Sequence, residues 1–156
     1  MGKIYYVMGK SASGKDTIYK RLVKKMPELG TVRMYTTRPI RDGETNGVEY
    51  IFTDEKQLQA MKDAGKVIEC RTYDTIYGPW SYFTADDGQI DLGSCSYLMM
   101  GTLESYEGLC KYYGAEVMVP LYIHVEDGVR LQRALNRENT QKNPKYAEMC
   151  RRFLAD

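Results

Sequence analysis

The chain has 156 residues, a length that fits one domain with a core large enough to need neither disulfides nor a metal. Its 22 basic residues nearly balance its 21 acidic ones, so no overall field favours nucleic acid or an anionic membrane as a partner. No segment approaches the roughly 20 apolar residues of a membrane span, and the first apolar run is too short for a secretory signal. The four scattered cysteines form no paired motif, so we expect a cytoplasmic protein.

Hydrophobic periodicity predicts the elements in chain order. The apolar run at 3–8 is typical of a strand buried on both faces in a parallel sheet, and a helical pattern follows it up to Pro27. Further along, Asp54 and Gln57 form a capping-box-like helix start. Strands are predicted at 3–8, 31–37, 48–53, 97–100 and 117–125, and residues 67–84 are predicted to be extended. A helix is predicted after each of the strands at 3–8, 48–53, 97–100 and 117–125. A last helix is predicted to begin with Asn143 as its N-cap and Pro144 as its first residue.

This order of elements predicts an α/β protein with an open parallel sheet and helices on both faces. A small β-rich segment interrupts the alternation and would lie beside the sheet. We expect one domain over 1–156, with its core at 1–32 and 91–125, an insertion at 33–90, and a lid with the final helix at 126–156.

The segment after the first strand fits the phosphate-loop (P-loop) pattern G-x-x-x-x-G-K, and it lies between a predicted strand and a predicted helix. Glycines let the backbone curl so that its N–H groups point at phosphate oxygens, and the helix N-terminus adds a positive dipole end. Lys15 would bridge the β- and γ-phosphates of ATP. The alternative is a glycine-rich turn that binds nothing. The predicted ATP-binding residues are Gly9, Ser11, Ala12, Ser13, Gly14, Lys15, Asp16 and Thr17.

Position 16 departs from this pattern, which places a Mg²⁺-binding hydroxyl after the lysine. Asp16 offers a hard oxygen instead, so we predict that Asp16 is a ligand of the Mg²⁺ bound with ATP. The alternative is that Asp16 only interacts favourably with the helix dipole, while Thr17 or a water molecule holds the metal.

A second anion-binding cluster is predicted within residues 35–52. Arg38 and Arg41 flank Pro39, which prevents a helix between them. Tyr50 follows a tight turn. Guanidinium forks bind phosphate through two hydrogen bonds, so the segment is a candidate clamp for a phosphate monoester. The alternative is that the two arginines are loop charges exposed to solvent and bind no phosphate.

This segment resembles the motif S-x-T-T-R-x-P-R-x-G-E-x-x-G-x-x-Y-x-F of the guanylate kinase family, and with the P-loop the resemblance runs through most of the chain. In that family the two arginines and the tyrosine hold the GMP phosphate, which implies this role for Arg38, Arg41 and Tyr50. The family's F-[IL]-E motif, whose Glu hydrogen-bonds guanine, is similar to the segment ending in Glu69. Its Tyr-Tyr-Gly motif, whose second Tyr contacts the phosphate, implies that role for Tyr77.

The chain departs from the family at three places. Met34 stands where the family has a phosphate-binding Ser, and Pro79 stands where a Ser or Thr contacts guanine. The predicted strand at 97–100 lacks the family's Asp-Ile-Asp motif. The phosphate clamp is therefore better supported than the guanine pocket, and the acceptor base stays open.

Arginines recur at helical spacing after residue 126, and a polar segment at 138–143 follows them. Arginines beside a mobile loop suit a lid whose guanidiniums neutralise the transferring phosphoryl group. The family lid, R-L-x-x-R-G and then K-R, is similar. A solvated basic helix face is the alternative. The predicted catalytic residues are Lys15, Arg133, Arg137 and Arg151, with Arg152 as the alternative to Arg151.

The residue patterns and the resemblance to the guanylate kinase family together predict a kinase. It would transfer the γ-phosphoryl group of ATP, with Mg²⁺, to a nucleoside monophosphate, with GMP as the first candidate acceptor. Small nucleotides would be its partners. One alternative is a kinase of another small monophosphate. Another is a non-catalytic guanylate-kinase-like binding module. Such modules have typically lost the P-loop, and the intact Lys15 favours an enzyme.

Overall fold

The structure, a computed structural model, describes all residues from 1 to 156. None of its five helices combines the length and the apolar character that a membrane span requires. In chain order the elements are β1 (Ile4–Gly9), α1 (Lys15–Lys25), β2 (Gly30–Thr31), β3 (Tyr35–Thr36), β4 (Ile51–Phe52), α2 (Glu55–Asp63), β5 (Val67–Thr75), β6 (Gly78–Ala85), β7 (Tyr97–Gly101), α3 (Leu103–Tyr113), β8 (Met118–Ile123), α4 (Asp127–Asn139) and α5 (Tyr146–Ala155).

The first sheet is entirely parallel and has the strand order β2-β7-β1-β8. Its strand β1 buries Ile4, Tyr6 and Met8. These side chains form one apolar cluster with Leu109 of α3. Helices α1 and α3 both pack on β1. The predicted α/β class, with a parallel sheet flanked by helices, is confirmed.

The carboxyl ends of three parallel strands meet at one edge of this sheet. Met8 of β1 lies opposite Gly101 of β7. One residue further on, Gly9 lies opposite Ile123 of β8. The segments that leave these strands therefore start side by side, at the position where open α/β sheets bind ligands.

Residues between α1 and β7 build a second sheet with the order β4-β3-β6-β5. One of its faces packs on α2, where Leu58 and Phe83 are buried in a separate apolar cluster. Because side chains alternate along a strand, the opposite face of β5 carries Arg71 toward the first sheet, where it contacts Thr102. We call this side the cleft face, with Glu69, Arg71, Tyr82 and Thr84.

Two predicted strands are shorter than expected. The predicted strand at 31–37 divides into β2 in the first sheet and β3 in the second, because the chain passes from one sheet to the other there. The predicted strand at 48–53 is reduced to β4. The side chain of Asn46 accepts a hydrogen bond from the Phe52 N–H at 2.8 Å, so the turn before β4 is bonded to the strand itself.

Helix starts agree with the sequence in one case and differ in another. The Asp54 carboxylate caps α2 by accepting from the Gln57 N–H at 2.8 Å, as predicted. The prediction that Asn143 and Pro144 open the last helix is wrong, because α5 begins at Tyr146. The N–H before this helix, that of Lys145, donates to a carboxylate of α4 instead of a cap within its own segment.

Helix α3 approaches β5 very closely at Gly108. A Cβ atom placed on Gly108 would lie 2.6 Å from the Cβ of Glu69. Real Cβ atoms essentially never come this close, and the neighbouring atom is not the free end of a flexible side chain. The glycine therefore sets the distance between α3 and the cleft face.

We expect Gly108→Ala to lower the thermal unfolding midpoint, although alanine is the better helix former by about 1 kcal/mol. The contact with Glu69 should outweigh this gain. The matched control is Gly128→Ala in α4, where an added Cβ meets no atom within 4 Å and the midpoint should rise slightly. Scanning calorimetry compares the two variants, and a rise for both would contradict the packing argument.

Candidate functional site

The P-loop, residues 9–14, turns back on itself between β1 and α1. Gly14 has a φ of +84°, and Ala12, at +60°, is the one non-glycine residue of the chain with a positive φ. A left-handed conformation costs a residue with a side chain roughly 1–3 kcal/mol, and such residues cluster at ligand sites. The loop therefore has an unfavourable backbone conformation at the edge where open α/β sheets generally bind ligands.

The start of α1 offers donors to an anion. Gly14 caps the helix without a side chain, so the N–H groups of the first turn have no side-chain partner. The hydroxyl of Ser13 is buried and likewise without a partner. The Nζ of Lys15, 3.7 Å from the Asp16 carboxylate, adds a positive charge. Together these groups suit phosphate oxygens.

Asp16 lies in the first turn of α1 with 67% of its side chain exposed, and the helix has no side-chain cap. No group of three or more His, Cys, Asp or Glu side chains that could hold a metal occurs in the chain. A Mg²⁺ ion bound with nucleotide phosphates needs only one or two protein carboxylates. Asp16 therefore fits as a single protein ligand beside bound phosphates.

Two arginines of α4 reach the P-loop from the side. Arg133 and Arg137 line a cleft of about 540 Å³ that the P-loop and Thr17 also line. The guanidinium of Arg133 is 4.0 Å from the position that a Cβ on Gly14 would occupy. Both side chains are exposed and neither forms an ion pair, so both are free to bind an anion.

Arg130, one helical turn before Arg133, has a different environment. Its side chain is 2% exposed and donates to the Ser11 carbonyl at 2.9 Å and to Asp127 at 2.8 Å. Its guanidinium also lies 4.5 Å from the centroid of the Phe153 ring. Arg130 therefore braces the P-loop from behind.

The predicted residue Arg151 does not reach the cleft. Arg151 and Arg152 both bind Glu148 of the same helix, at 2.7 and 3.0 Å. Hydrogen bonds from Arg151 and, more weakly, Arg152 lower the pKa of Glu148 to about 2. Arg152, unlike Arg151, lines a cavity of about 110 Å³ together with Ser11 and Arg137. Of the two alternatives, the structure places Arg152 nearer the P-loop.

Arg38 anchors the second anion cluster and is 3% exposed. Its Nη1 and Nη2 bind the Glu44 carboxylate at 3.0 and 2.8 Å, and Nη1 also donates to the Pro39 carbonyl. The guanidinium carbon lies 5.7 Å from the Tyr50 ring and 5.4 Å from the Phe52 ring. Glu44 is the largest cause of the raised pKa of Arg38. These three hydrogen bonds use three of the five guanidinium N–H groups.

Arg41 and Tyr50 complete this cluster, which we call the phosphate clamp. The backbone N–H of Arg41 donates to Glu44 at 2.8 Å, while its guanidinium is exposed and outside any ion pair. Burial raises the pKa of Tyr50; the positive charge of Arg38 opposes the rise, and the negative charge of Asp16 adds to it. The Tyr50 ring also lies 5.6 Å from the ring of Tyr82 on the cleft face.

Glu69, the predicted guanine contact, is buried and already bonded. Its Oε1 accepts from the Thr84 hydroxyl at 2.7 Å, and its Oε2 accepts from the Nε of Arg71 at 3.1 Å. Burial lowers the pKa of Arg71, but Glu69 and nearby tyrosines raise it by more. The Glu69 carboxylate is therefore already paired with Arg71 before any ligand binds.

Tyr77, a predicted phosphate contact, lies at the turn between β5 and β6. It is 78% exposed and stacks on Trp80. The hairpin register instead pairs Arg71 with Tyr82, whose ring centroid is 5.6 Å from that of Tyr50. The structure therefore does not bring Tyr77 to the clamp, and Tyr82 lies there in its place.

The sequence contained a signal for this exchange. The family motif has a tyrosine and, two residues later, a hydroxyl that contacts the base. Tyr82 and Thr84 have the same spacing. Thr84 donates its hydroxyl to Glu69, whereas Pro79 has no hydroxyl to donate. The position of the hairpin turn decides which tyrosine lies in the site, and local sequence does not determine that position.

Fold and site together define a class of protein: a P-loop α/β protein with two clusters of cationic and N–H groups near the carboxyl edge of a parallel sheet. A sequence profile described as guanylate kinase matches residues 1–81, more than half of the chain. The chain belongs to the guanylate kinase family, as the sequence motifs predict.

Individual relatives agree with this assignment. The guanylate kinases of Legionella pneumophila (strain Lens) and Coxiella burnetii are both 37% identical, over 78 and 76 residues, which is 49% and 48% of this chain. The matched segment spans 37% of each relative. The crystal structure of guanylate kinase from Anaplasma phagocytophilum has a similar fold, with a TM-score of 0.58 at 18% identity over 78% of this chain and 58% of that one.

We expect Arg130→Met to lower the free energy of unfolding by about 2–3 kcal/mol, because a buried, charged hydrogen bond to the P-loop is lost. Arg133→Met, on the same helix, is the matched control and should leave stability within about 0.5 kcal/mol. Urea titration measures both. Equal stability for the two variants would show that Arg130 does not brace the loop.

Proposed function

We propose that this protein is a nucleoside monophosphate kinase, which transfers the γ-phosphoryl group of ATP to a nucleoside monophosphate, with GMP as the preferred acceptor. The observation that carries the proposal is the arrangement of two anion sites along one cleft. Tyr82 lies with its ring 5.6 Å from that of the clamp residue Tyr50, and it is paired with Arg71 across the β5–β6 hairpin. Arg71 in turn donates to Thr102, which directly follows β7, the strand that ends beside the start of the P-loop. A donor and an acceptor phosphate bound at these sites would lie close together. Membership of the guanylate kinase family supports the same reaction.

The donor side of the reaction uses the P-loop. Backbone N–H groups at the start of α1 and the Lys15 ammonium bind the β- and γ-phosphates of ATP. Asp16 would hold a Mg²⁺ ion, which supplies charge neutralisation on the phosphates when bound. Arg133 and Arg137 approach the transferring group from α4 and stabilise its charge in the transition state.

The acceptor side uses the phosphate clamp. Arg38 is oriented by Glu44, so its remaining N–H groups are fixed before the ligand arrives. Arg41 is exposed and can swing onto the phosphate. Tyr50 adds a hydroxyl donor. Preorganised donors lower the cost of aligning the acceptor oxygen with the γ-phosphorus, and alignment is the main contribution that a protein makes to phosphoryl transfer.

The binding partners in this proposal are small nucleotides. A net charge of +1 gives no broad field for nucleic acid, because the basic residues are spread over the chain and balanced by acidic ones. The four cysteines are all free thiols, which suits a reducing, cytoplasmic setting. A kinase of another small monophosphate is the second candidate, because Glu69, the expected contact of the base, is already paired with Arg71.

Two substitutions should separate the two anion sites. We expect Lys15→Ala to reduce kcat/KM at least about a hundredfold, as when one transition-state donor is removed. We expect Arg41→Ala to weaken GMP binding by about 1.5–3 kcal/mol, the range for a charged hydrogen bond. ATP affinity should stay unchanged in Arg41→Ala. An ADP-release assay across GMP, IMP, AMP and UMP, with calorimetry for each nucleotide, measures these effects.

The control for loss of charge is Arg21→Ala, which removes an exposed arginine of α1 and should behave as wild type. Turnover that survives Lys15→Ala would rule out the P-loop as the ATP site. An equal loss of ATP and GMP affinity in Arg41→Ala would contradict two separate sites.

A third substitution tests the metal. We expect Asp16→Asn to raise the Mg²⁺ concentration needed for half-maximal activity about tenfold and to make ATP binding less dependent on Mg²⁺, because a hard oxygen ligand is lost. The control is Asp63→Asn, an exposed carboxylate on α2. If the Mg²⁺ requirement is unchanged and the free energy of unfolding falls by only about 0.3–1 kcal/mol, Asp16 interacts only with the dipole of α1 and is not a metal ligand.

A further inference from the structure

Arg71 of the cleft face is one of the buried arginines of the chain, together with Arg38 and Arg130. Its side chain is only 6% exposed, and its Nε donates to Glu69 at 3.1 Å. A guanidinium carries five N–H groups, and a buried polar group without an acceptor is costly. The acceptors of the two Nη atoms therefore indicate whether the protein alone satisfies this arginine.

Both Nη atoms of Arg71 have weak acceptors. Nη1 donates to the Thr102 hydroxyl at 3.3 Å, and the acceptor of Nη2 is the thioether sulfur of Met34 at 3.8 Å. The first distance is longer than the usual range of roughly 2.7–3.2 Å, and sulfur is a poor acceptor. In Arg38 and Arg130, by contrast, both Nη atoms donate to carboxylate or carbonyl oxygens. Arg71 is thus the buried arginine whose Nη end lacks a strong acceptor.

The contacts of Arg71 place this Nη end beside the phosphate clamp. Arg71 lies directly opposite Tyr82 in the β5–β6 hairpin, and residues so paired have Cβ atoms about 4.5–5.5 Å apart on one face. The Tyr82 ring lies 5.6 Å from the ring of Tyr50. Met34, which Nη2 contacts, accepts a backbone hydrogen bond from Ile51, the residue after Tyr50. Two neighbours of Arg71 therefore contact the Tyr50 segment of the clamp.

Glu69 fixes the orientation of the Arg71 guanidinium. The carboxylate accepts from the Arg71 Nε at 3.1 Å and from the Thr84 hydroxyl at 2.7 Å, so it is held on both sides. This contact uses Nε and leaves the Nη atoms directed at their weak acceptors. A ligand oxygen would complete the hydrogen bonding of these atoms. An anionic oxygen fits best, because charge-assisted hydrogen bonds are roughly twice as strong as neutral ones.

We propose that Arg71 is a further phosphate-binding residue of the acceptor site, with its Nη groups donating to the phosphate that the phosphate clamp also binds. The inference rests on the proposed kinase function. The flexible Met34 side chain moves aside, and phosphate oxygens replace its sulfur as the acceptor. Arg71 acts on the phosphate that all acceptors share, so its contribution is independent of the base.

The test compares the calorimetric affinities of GMP, ribose 5-phosphate and guanosine. The first two ligands share the phosphate, whereas the first and third share the base. An ATP analogue with an imido group between its β- and γ-phosphates is present with Mg²⁺ throughout, so that the P-loop is occupied. Arg71→Met should weaken GMP and ribose 5-phosphate at least about tenfold, as expected for a lost charged hydrogen bond, and should leave guanosine within about twofold.

A second measurement reports direct contact with the phosphate. The second ionisation of a phosphate monoester lies near pH 6, and a neighbouring positive charge lowers this pKa by favouring the dianion. Phosphorus NMR of bound ribose 5-phosphate should therefore give a higher phosphate pKa in Arg71→Met than in the wild type. Arg71→Lys keeps the charge but loses the planar fork, so it should retain most of the lowered pKa while binding more weakly.

Folding defects are separated from ligand binding by a matched pair of variants. Arg71→Met leaves the Glu69 carboxylate buried without its partner, which is destabilising by itself. The double variant Arg71→Met/Glu69→Gln is therefore compared with Glu69→Gln, whose neutral amide can still accept from Thr84. We expect similar unfolding temperatures for the two and at least about tenfold weaker binding of ribose 5-phosphate by the double variant. Arg21→Met, in the exposed part of α1, controls for charge and should bind as wild type.

Two results would overturn the inference. A loss of affinity confined to GMP and guanosine in Arg71→Met would place Arg71 at the base, and an unchanged pKa of the bound phosphate would show that Arg71 does not contact it. The proposed kinase function fails separately, if the wild-type protein releases no ADP with any monophosphate. Arg71-dependent binding of ribose 5-phosphate, with the altered phosphate pKa, would still support the inference in that case.

Discussion

Pairing between buried guanidiniums and carboxylates is the interaction on which the candidate site depends. A buried charge is tolerated only when it is paired and hydrogen-bonded, and removing one partner of such a pair typically costs about 3–5 kcal/mol. One pair braces the P-loop, one orients the phosphate clamp, and one lies on the cleft face of the second sheet. These pairs are Arg130–Asp127, Arg38–Glu44 and Arg71–Glu69.

The paired arginines differ from those left for ligands. Arg41, Arg133 and Arg137 are exposed and outside any ion pair, so their charge is available to phosphate oxygens. With a net charge of +1, the chain has no general positive field to attract nucleotides. In the proposed kinase, anion binding would therefore depend on these unpaired arginines together with Lys15 and the remaining N–H groups of Arg38. Such local clusters would allow a nearly neutral chain to hold two phosphates.

Much of the fold and part of the site follow from local sequence. The apolar runs of β1, β7 and β8, the capping pair at Asp54 and the P-loop pattern are short-range features, and the structure has them at the predicted positions. The clamp motif is also local, since Arg38, Glu44 and Tyr50 lie within one segment. Boundaries were less predictable where a distant side chain decides them, as at Lys145, whose N–H is bound by a carboxylate of α4.

The sequence by itself determined the α/β class, the P-loop and the clamp residues, because each is encoded in a contiguous pattern. Tertiary structure alone decided which equivalent-looking residues enter the site. The β5–β6 register brings Tyr82 rather than Tyr77 to the clamp, and packing buries Arg130 while Arg133 stays exposed. It also joins Arg71 to Thr102, 31 residues along the chain. These outcomes depend on how separate elements pair and pack, and periodicity within one element carries no information about that.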